Sequence, residues 1–554
     1  MKKLINLLKS YWLGEEKWGA FTLLFVLLFL VLVKAILLGA VIFQGGELIT
    51  GLADQDWQRF RFSLILCLTA IASAIPVFAG ATYIQFKLSL YWRDWMSSYL
   101  LDKYFAKRKY YQLSLQPQID NPDRRIVEDV RNFTQESLRF LVLLIDSVLQ
   151  VIVFSLILLS ISSPLMLFLI VYSVLGTAIT VILFGRKLVG INLEQIQREA
   201  NFRYGLVRIK ENSEAIALYD GQEMELDIVG GKFRQAVDNF KYLIRWQLNL
   251  SFFQHGYQYL TLIIPALFIA PGILSGELEV GAIAQASSAF RSVLAALALI
   301  ITQFEQLSSL AAAVDRVAVL EQYLSTDKRF DSEPSRTIDF KKSSRINIKH
   351  LTLQTPDGNN TLVKDLSLAI KPDTNLLIIG ASGVGKSSLL RAIAGLWNSG
   401  TGLIAKPQPG QLFFLPQNPY AIEGTLREQI LYPKLDKIRD EVLLQVLQEV
   451  NLSHIAQRFD LDLNKDWSTV LSLGEQQRLA FARLLLAKPQ YAILDEATSA
   501  LDNANEKLLY QKLQKLRINA ISIGHRSSLL QYHQQVLQLK SDCTWELSLT
   551  TEKR

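Results

Sequence analysis

Leu376-Leu377-Ile378-Ile379-Gly380-Ala381-Ser382-Gly383-Val384-Gly385-Lys386-Ser387-Ser388 is a four-residue apolar run, a glycine-rich octet and the start of a further apolar stretch, Leu389 to Leu396. The run predicts a buried strand and the following residues predict an amphipathic helix, so the octet is the turn between them. Gly380 to Ser387 fits the pattern of a phosphate-binding loop in the context that pattern requires. The glycines let backbone N–H groups wrap an anion at a helix N-terminus, where the helix dipole favours negative charge. Lys386 is expected to reach the β- and γ-phosphates of a nucleotide, and Ser387 to offer its hydroxyl to Mg²⁺. By chance the pattern arises in on the order of one in fifty chains of this length, so the residues around it decide the reading.

Downstream, Tyr491-Ala492-Ile493-Leu494-Asp495-Glu496 is an apolar strand that ends in two adjacent carboxylates. The two acids suit different tasks. Asp495 at the strand end can hold Mg²⁺, while Glu496 can polarise the water that attacks a γ-phosphate. From Ile346 onward, short β-rich runs alternate with amphipathic helices, the order of an α/β nucleotide-binding fold.

Leu471-Ser472-Leu473-Gly474-Glu475-Gln476-Gln477-Arg478 lies before the helix that leads to Asp495. This segment resembles the signature sequence of the ABC ATPase superfamily. Gln417 and His525 occupy the places of that superfamily's Q-loop and switch histidine, and Ser499-Ala500-Leu501-Asp502 resembles its D-loop. The resemblance implies an α/β ATP-binding cassette that uses ATP and Mg²⁺. Its implied nucleotide contacts are Gly380, Ala381, Ser382, Gly383, Val384, Gly385, Lys386, Ser387 and Ser388 from one chain, with Ser472, Gly474, Gln476 and Asp502 from the facing one. It further implies Ser387, Gln417 and Asp495 at the metal, and Glu496, His525 and Gln417 in hydrolysis. In that superfamily two cassettes face head to tail, so one chain holds half of each site and a homodimer is expected. One departure stands at Leu353-Gln354-Thr355-Pro356-Asp357-Gly358, where Thr355 falls near the position of an adenine-stacking aromatic residue. Preference for ATP over GTP is therefore left open.

Composition separates the first half of the chain from the second. Half of the 554 residues are hydrophobic and 20% are charged, a mixture that fits neither a wholly soluble nor a wholly embedded protein. Apolar stretches long enough to cross a bilayer run from Phe21 to Phe43, Phe62 to Phe86, Leu138 to Ser160, Leu165 to Phe184, Tyr257 to Leu274 and Ala282 to Leu310. Six spans are therefore expected, the fifth short and interrupted by Pro265 and Pro271. Lys2, Lys3 and Lys9 precede the first run, which is too long for a cleaved signal and reads as a retained span. The connections Lys87 to Glu136 and Arg186 to Gln254 are long and rich in Lys and Arg, which places them, both termini and the cassette in the cytoplasm. Apolar residues at helical spacing within them predict membrane helices prolonged into the cytoplasm.

The expected architecture is thus an all-α six-helix membrane domain of exporter type over residues 1–323, a linker over 324–344 and the α/β cassette over 345–554. A net charge of +7 is scattered without a basic stripe, so no nucleic-acid partner is expected. Cys67 and Cys543 alone give neither a disulfide framework nor a metal-ligand spacing.

Nearly the whole chain resembles the peroxisomal acyl-CoA half-transporters and their bacterial relatives, some of which take up cobalamin or modified peptides. Asn121-Pro122-Asp123-Arg124-Arg125 resembles that group's NPDQR segment, and Gly395-Leu396-Trp397 and Phe414 to Tyr420 resemble its cassette segments. Glu214-Ala215-Ile216-Ala217-Leu218-Tyr219-Asp220-Gly221 resembles its cytoplasmic coupling motif. The resemblance implies ATP-driven transport of an amphipathic small molecule, lipid or peptide across a bilayer, with a bacterial cytoplasmic membrane as the expected location. Import and export remain open. A soluble ABC ATPase would lack the spans, whereas a nucleotide-gated channel or transport regulator would keep every motif and differ only in flux.

Within the third span, Asp146 and Gln150 are one helical turn apart and share a face. An ionisable residue there points into a bundle or a water-filled cavity. Two expectations follow: that this face lines a substrate path, or that Asp146 pairs structurally with a cation such as Lys34 or Arg291, or is solvated near a membrane surface.

Overall fold

The computed structural model describes residues 9, 11–14, 17–115, 119, 121–297, 303–325, 337–371, 373–434 and 436–550. The chain divides into two compact units, Met1–Asp327 and Lys328–Arg554.

The first unit is helical. Its long elements are α1 (Lys17–Ala53), α2 (Trp57–Phe105), α3 (Val130–Ile161), α4 (Ser163–Ile179), α5 (Arg186–Glu211), α6 (Ser213–Leu218), α7 (Gln222–Leu274), α8 (Ala282–Leu297) and α9 (Phe304–Ser325). Among the described residues, five helical runs are long and apolar enough to cross a bilayer: Lys17–Ala53, Trp57–Ser114, Pro122–Ile161, Ser163–Glu211 and Gln222–Leu274. A helix of 53 residues such as α7 is about 80 Å long at 1.5 Å per residue, far more than a ~30 Å hydrocarbon layer needs. Helix therefore runs well beyond the apolar stretches, with breaks after Phe105, Glu211 and Leu218. Pro265 and Pro271 lie inside α7 without ending it, since Pro265 is buried among neighbouring spans that hold the helix together. The expected sixth span, Ala282 to Leu310, divides into α8, of 16 residues, and the start of α9; residues 298–302 between them lie outside the described residues.

Local chemistry sets the breaks. Asp56 caps α2 by accepting from the N–H groups of Gln58 and Arg59 at 2.9 and 3.0 Å. Ser162 caps α4 ahead of Pro164, which is pre-set for the first helical turn. At the α1–α2 turn, Arg59 donates to both Glu47 and Glu279 and so joins two interhelical loops. The Asn121–Arg125 segment opens the third run with Asn121 in a left-handed conformation. A few residues on, the buried Asp129 takes a bidentate bond from Arg316 of α9 at 2.6 and 2.7 Å. The Glu214–Gly221 segment forms α6 and a turn, with Leu218 and Tyr219 almost fully exposed at its tip.

Asp146 is resolved in favour of the ion pair. Its Oδ2 lies 3.0 Å from Lys34 Nζ of α1 and accepts from Gln150 Nε2 at 2.8 Å, while the side chain is only 11% exposed. Lys34 also lies over the Phe78 ring of α2, 5.0 Å from its centroid. The shared face of Asp146 and Gln150 therefore points at another helix of the same bundle.

The second unit is built on a six-stranded sheet in the order β12-β11-β4-β10-β9-β6, formed by β4 (Leu376–Gly380), β6 (Leu412–Leu415), β9 (Tyr491–Asp495), β10 (Asn519–Ile523), β11 (Gln535–Leu539) and β12 (Trp545–Leu549). All but β12 run parallel, so their C-terminal ends share one edge. A second sheet has the order β1-β5-β2-β3, with β1 (Asp339–Lys342), β2 (Asn347–Gln354), β3 (Thr361–Ala369) and β5 (Gly400–Lys406). A two-residue ladder joins β7 (Gly424–Thr425) to β8 (Asn464–Lys465). Strand β1 corrects the expected linker of 324–344. Asp339 to Lys342 pair in parallel with Leu403 to Lys406, and α9 continues to Ser325. The reading from composition failed there because β1 is an exposed edge strand of charged residues, with none of the apolar signal of a core strand.

Candidate functional site

Four adjacent strands, β4, β10, β9 and β6, deliver the predicted residues to the shared C-terminal edge of the parallel sheet, the place where open α/β sheets bind ligands. The phosphate-binding loop leaves β4 at Gly380 and enters α10 (Lys386–Ala394), with Ser387 and Ser388 in its first turn. Asp495 ends β9, His525 follows β10 after Gly524, and Gln417 follows β6 after Pro416. Gly380 has φ 150°, and a Cβ there would collide with the carbonyl oxygen of Leu539 on β11. Gly383 and Gly385 take φ 83° and 97°, turning the loop back so that its N–H groups cluster at the start of α10. Lys386 is buried, and its Nζ donates to the carbonyls of Gly380 and Ala381 at 2.9 and 2.8 Å.

Across the edge, Ser387 Oγ donates to Asp495 Oδ1 at 3.1 Å. Burial raises the Asp495 carboxyl above the ordinary range and the nearby Glu496 adds to this, against the lowering effect of the Ser387 bond. A half-buried carboxylate beside a hydroxyl is a hard oxygen pair, the donor set from which Mg²⁺ takes one or two protein ligands while phosphate and water supply the rest. The residues therefore fit the ion. Glu496 turns away from Asp495 on a left-handed backbone, φ 49°. Its carboxylate accepts from Gln417 Nε2 at 2.9 Å and lies 3.5 Å from His525 Nε2. The structure thus brings together the phosphate loop, Asp495, Glu496, Gln417 and His525.

Ser472, Gly474, Gln476 and Asp502 are placed apart from that cluster. Ser472 caps α11 (Leu473–Ala487), accepting from Glu475 N–H while the Glu475 carboxylate takes its backbone N–H at 2.9 Å. Gln476 donates to the carbonyls of Ser468 and Leu471, and Asp502 caps α12 (Asn503–Lys515). Among the described residues, none of these bonds reaches the phosphate loop. Ser472 is exposed at the helix start, its hydroxyl bonded to Glu475 of the same turn. Thr355 closes the β2–β3 turn by donating to Asp357, and its segment offers no aromatic face.

Sequence reading gave no role to Gln477, which is buried and is a junction of the site. Its Nε2 donates to the Gln417 carbonyl and to Ser499 Oγ, both at 3.2 Å, and its Oε1 accepts from Ala500 N–H at 3.1 Å. A Cβ on Gly474, one turn earlier, would lie 3.0 Å from the Ala500 carbonyl. Burial lowers the Arg483 pKa to about 10, yet its fork holds the carbonyls of Tyr420 and Gln429, fixing the segment after Gln417. Position beside motif residues was the only signal these two carried.

Residues 7–274 match the family described as ABC transporter transmembrane region 2, and residues 363–499 match the family described as ABC transporter. An uncharacterized ABC transporter ATP-binding protein of Synechocystis sp. is 44% identical over 96% of this chain and 82% of its own length. The chain belongs to the ABC transporter family. Having one membrane region and one cassette, it is a half-transporter, a multi-pass membrane protein and an ATP hydrolase coupled to transport. It is 39% identical to the chloroplastic ABC transporter D family member 2 of Arabidopsis thaliana, over 98% of this chain and 86% of that one. It is 31% identical to the lysosomal cobalamin transporter ABCD4 of Homo sapiens, over 90% and 88%.

Proposed function

We propose that the protein moves an amphipathic or hydrophobic substrate across a bacterial cytoplasmic membrane as a homodimer, with ATP hydrolysed at two sites shared between the subunits. The observation that carries the hydrolytic part is the Glu496 carboxylate, held between Gln417 and His525 one residue beyond Asp495. The glycine loop and the N-terminus of α10 bind the phosphates, and Lys386 moves from the Gly380 and Ala381 carbonyls onto the β- and γ-phosphates. Ser387, Asp495 and Gln417 would hold Mg²⁺, which would supply charge neutralisation at the phosphates. Glu496 orients a water and takes its proton as the oxygen bonds to the γ-phosphorus and the bond to the β-phosphate oxygen breaks, releasing ADP and phosphate. His525 and Gln417 keep the carboxylate aimed.

Ser472, Gly474, Gln476 and Asp502 complete the site of a facing cassette. Support comes from the exposure of Ser472 and Asp502 at helix starts and, among the described residues, from the lack of bonds from any of the four to the chain's own phosphate loop. The basic long connections and the cassette lie in the cytoplasm. The human relative, a lysosomal cobalamin transporter, supports cobalamin as one candidate, and acyl-CoA is the other to be tried.

The test is Glu496→Gln in protein reconstituted into liposomes. ATP binding should persist while turnover falls by about 100-fold or more, as expected when a general base is removed. Hydrolysis within about threefold of the parent would remove Glu496 from this role. Uphill accumulation of labelled cobalamin or an acyl-CoA, abolished by the same change, identifies the substrate.

A further inference from the structure

Glu506 of α12 is a carboxylate with 1% exposure, well inside the cassette. A buried charge of this kind is costly unless it is fully bonded. Its Oε2 accepts from Thr498 Oγ1 at 3.0 Å and from Arg526 Nη1 at 3.4 Å, and its Oε1 accepts from Ser528 Oγ at 2.6 Å. Three separate pieces of chain therefore meet on one side chain: the residues after Glu496, the residues after His525, and α12.

Arg526 is the working end of this arrangement. It follows His525 directly, and beyond Glu506 its guanidinium donates to the carbonyls of Leu501 at 2.7 Å and Ser499 at 2.9 Å. The turn from Ser499 to Asp502 is thereby gripped on one side by Arg526. On its other side it is gripped by Gln477, which bonds Ser499 Oγ and Ala500 N–H. Any displacement of the His525 segment moves Arg526, and a planar fork bonded to two carbonyls transmits that displacement to the turn. The turn in turn sits against Gly474 at the start of α11.

We propose that Arg526, held in place by Glu506, is a positioning residue that sets the Ser499–Asp502 turn relative to His525 and Glu496, so that the pair governs the rate of ATP hydrolysis and not nucleotide binding. The proposal rests on the hydrolytic reading of Glu496 and His525. No residue of the pair touches the phosphate loop in the described contacts, which is why nucleotide binding at that loop is spared.

The experiment uses the full chain in lipid nanodiscs. Rates are expressed per nucleotide-binding site, counted with a fluorescent ATP analogue, so that a fraction of unfolded protein does not register as lost turnover. Arg526→Gln and Glu506→Gln should each lower kcat about tenfold while KM for ATP and the affinity for a non-hydrolysable analogue stay within about twofold. Arg526→Lys keeps the charge but cannot span both carbonyls, and should recover less than about a third of the parent rate. The double variant Arg526→Gln/Glu506→Gln should be no slower than the slower single, because the two act as one unit. A kcat within about twofold of the parent in Arg526→Gln, or losses that multiply in the double variant, overturns the proposal. If Glu506→Gln fails to accumulate, Arg526→Gln and Arg526→Lys, at a half-exposed position, decide it alone. Glu496→Gln run alongside separates the two readings: parent-level hydrolysis in that variant overturns the site assignment itself, whatever the Arg526 variants do.

Discussion

Replacing Lys34 by Met should damage this protein more than replacing its partner Asp146 by Asn. Asp146 is the more enclosed of the two, its side chain 11% exposed against 21% for Lys34. Among the described residues, its Oδ1 is buried without a hydrogen-bond partner and its Oδ2 bonds Lys34 and Gln150. Removing Lys34 leaves a carboxylate within an apolar bundle, bonded by one amide, a change that costs about 3–5 kcal/mol. Removing the charge of Asp146 leaves an ammonium that keeps the Phe78 ring face and the amide oxygen of the new Asn, so a smaller loss of about 1–2 kcal/mol is expected. In the double variant Lys34→Met/Asp146→Asn no buried charge remains, and most of the Lys34→Met loss should return. The assay is thermal melting of the four proteins in nanodiscs, with basal and substrate-stimulated ATPase measured on each. A Lys34→Met melt equal to the parent, or equal to that of the double variant, would refute the structural pairing. Parent-like melting of Asp146→Asn with substrate stimulation abolished would return the residue to the transport path.

Ser472→Arg should disable the phosphate loop of the facing subunit, since Ser472 is exposed and its described bonds go to Glu475 and not to its own chain's loop; mixed dimers with Lys386→Ala and Ser472→Arg on opposite subunits should keep one working site, whereas equal loss in both arrangements would argue against a head-to-tail pair. Gln477→Ala leaves the Ala500 N–H and the Gln417 carbonyl short of a partner, at about 1–3 kcal/mol each if they stay dry, and should lower both cassette stability and kcat; a kcat at the parent level would show that the junction is not needed for turnover. Burial holds the His533 imidazole down at about 4, against 6.5 when unfolded, so the unfolded chain binds more protons between those values. Its contribution to stability is complete above about pH 6.5 and is lost as pH falls toward 4, by roughly 2 kcal/mol at pH 5; His533→Gln should flatten that dependence, and an unchanged slope in melting temperature between pH 7 and 5 would discard the account.

The membrane half was legible wherever apolar length carried the signal. The first five spans follow from runs of about 20 apolar residues, and the spacing within the basic connections predicted the helix that the structure shows beyond those runs. Two proline residues misled the reading of the fifth, because a proline within a membrane helix weakens it locally without having to end it. Asp146 illustrates a different limit. Periodicity put it on one face with Gln150, but the choice between a cavity and a partner depended on which helix lies opposite, a long-range fact that the spacing along one helix does not contain. Strand β1 was hidden for the reason edge strands usually are, since charged residues that protect an edge look like a linker.

In the cassette, the residues that would touch phosphate or water were legible because their chemistry restricts residue type: only glycine tolerates the loop's backbone at Gly380, and paired carboxylates after an apolar run are rare. The residues that hold those groups in place carry no such restriction. Gln477, Arg483, Glu506 and Arg526 are ordinary polar side chains whose roles come from bonds to backbone carbonyls and amides of distant segments. A backbone carbonyl is the same at every residue, so nothing in the partner's sequence marks the contact. The parallel sheet explains why such holding residues are needed: its edge delivers Gly380, Asp495 and the His525 segment on adjacent strands at fixed spacing, but leaves the loops beyond the strand ends without ladder bonds. The side-chain grips of Gln477 and Arg526 supply what the ladder stops supplying at those ends. Their loss should therefore appear first in the rate of the step that depends on loop position, and only afterwards in the binding of nucleotide at the strand-anchored phosphate loop.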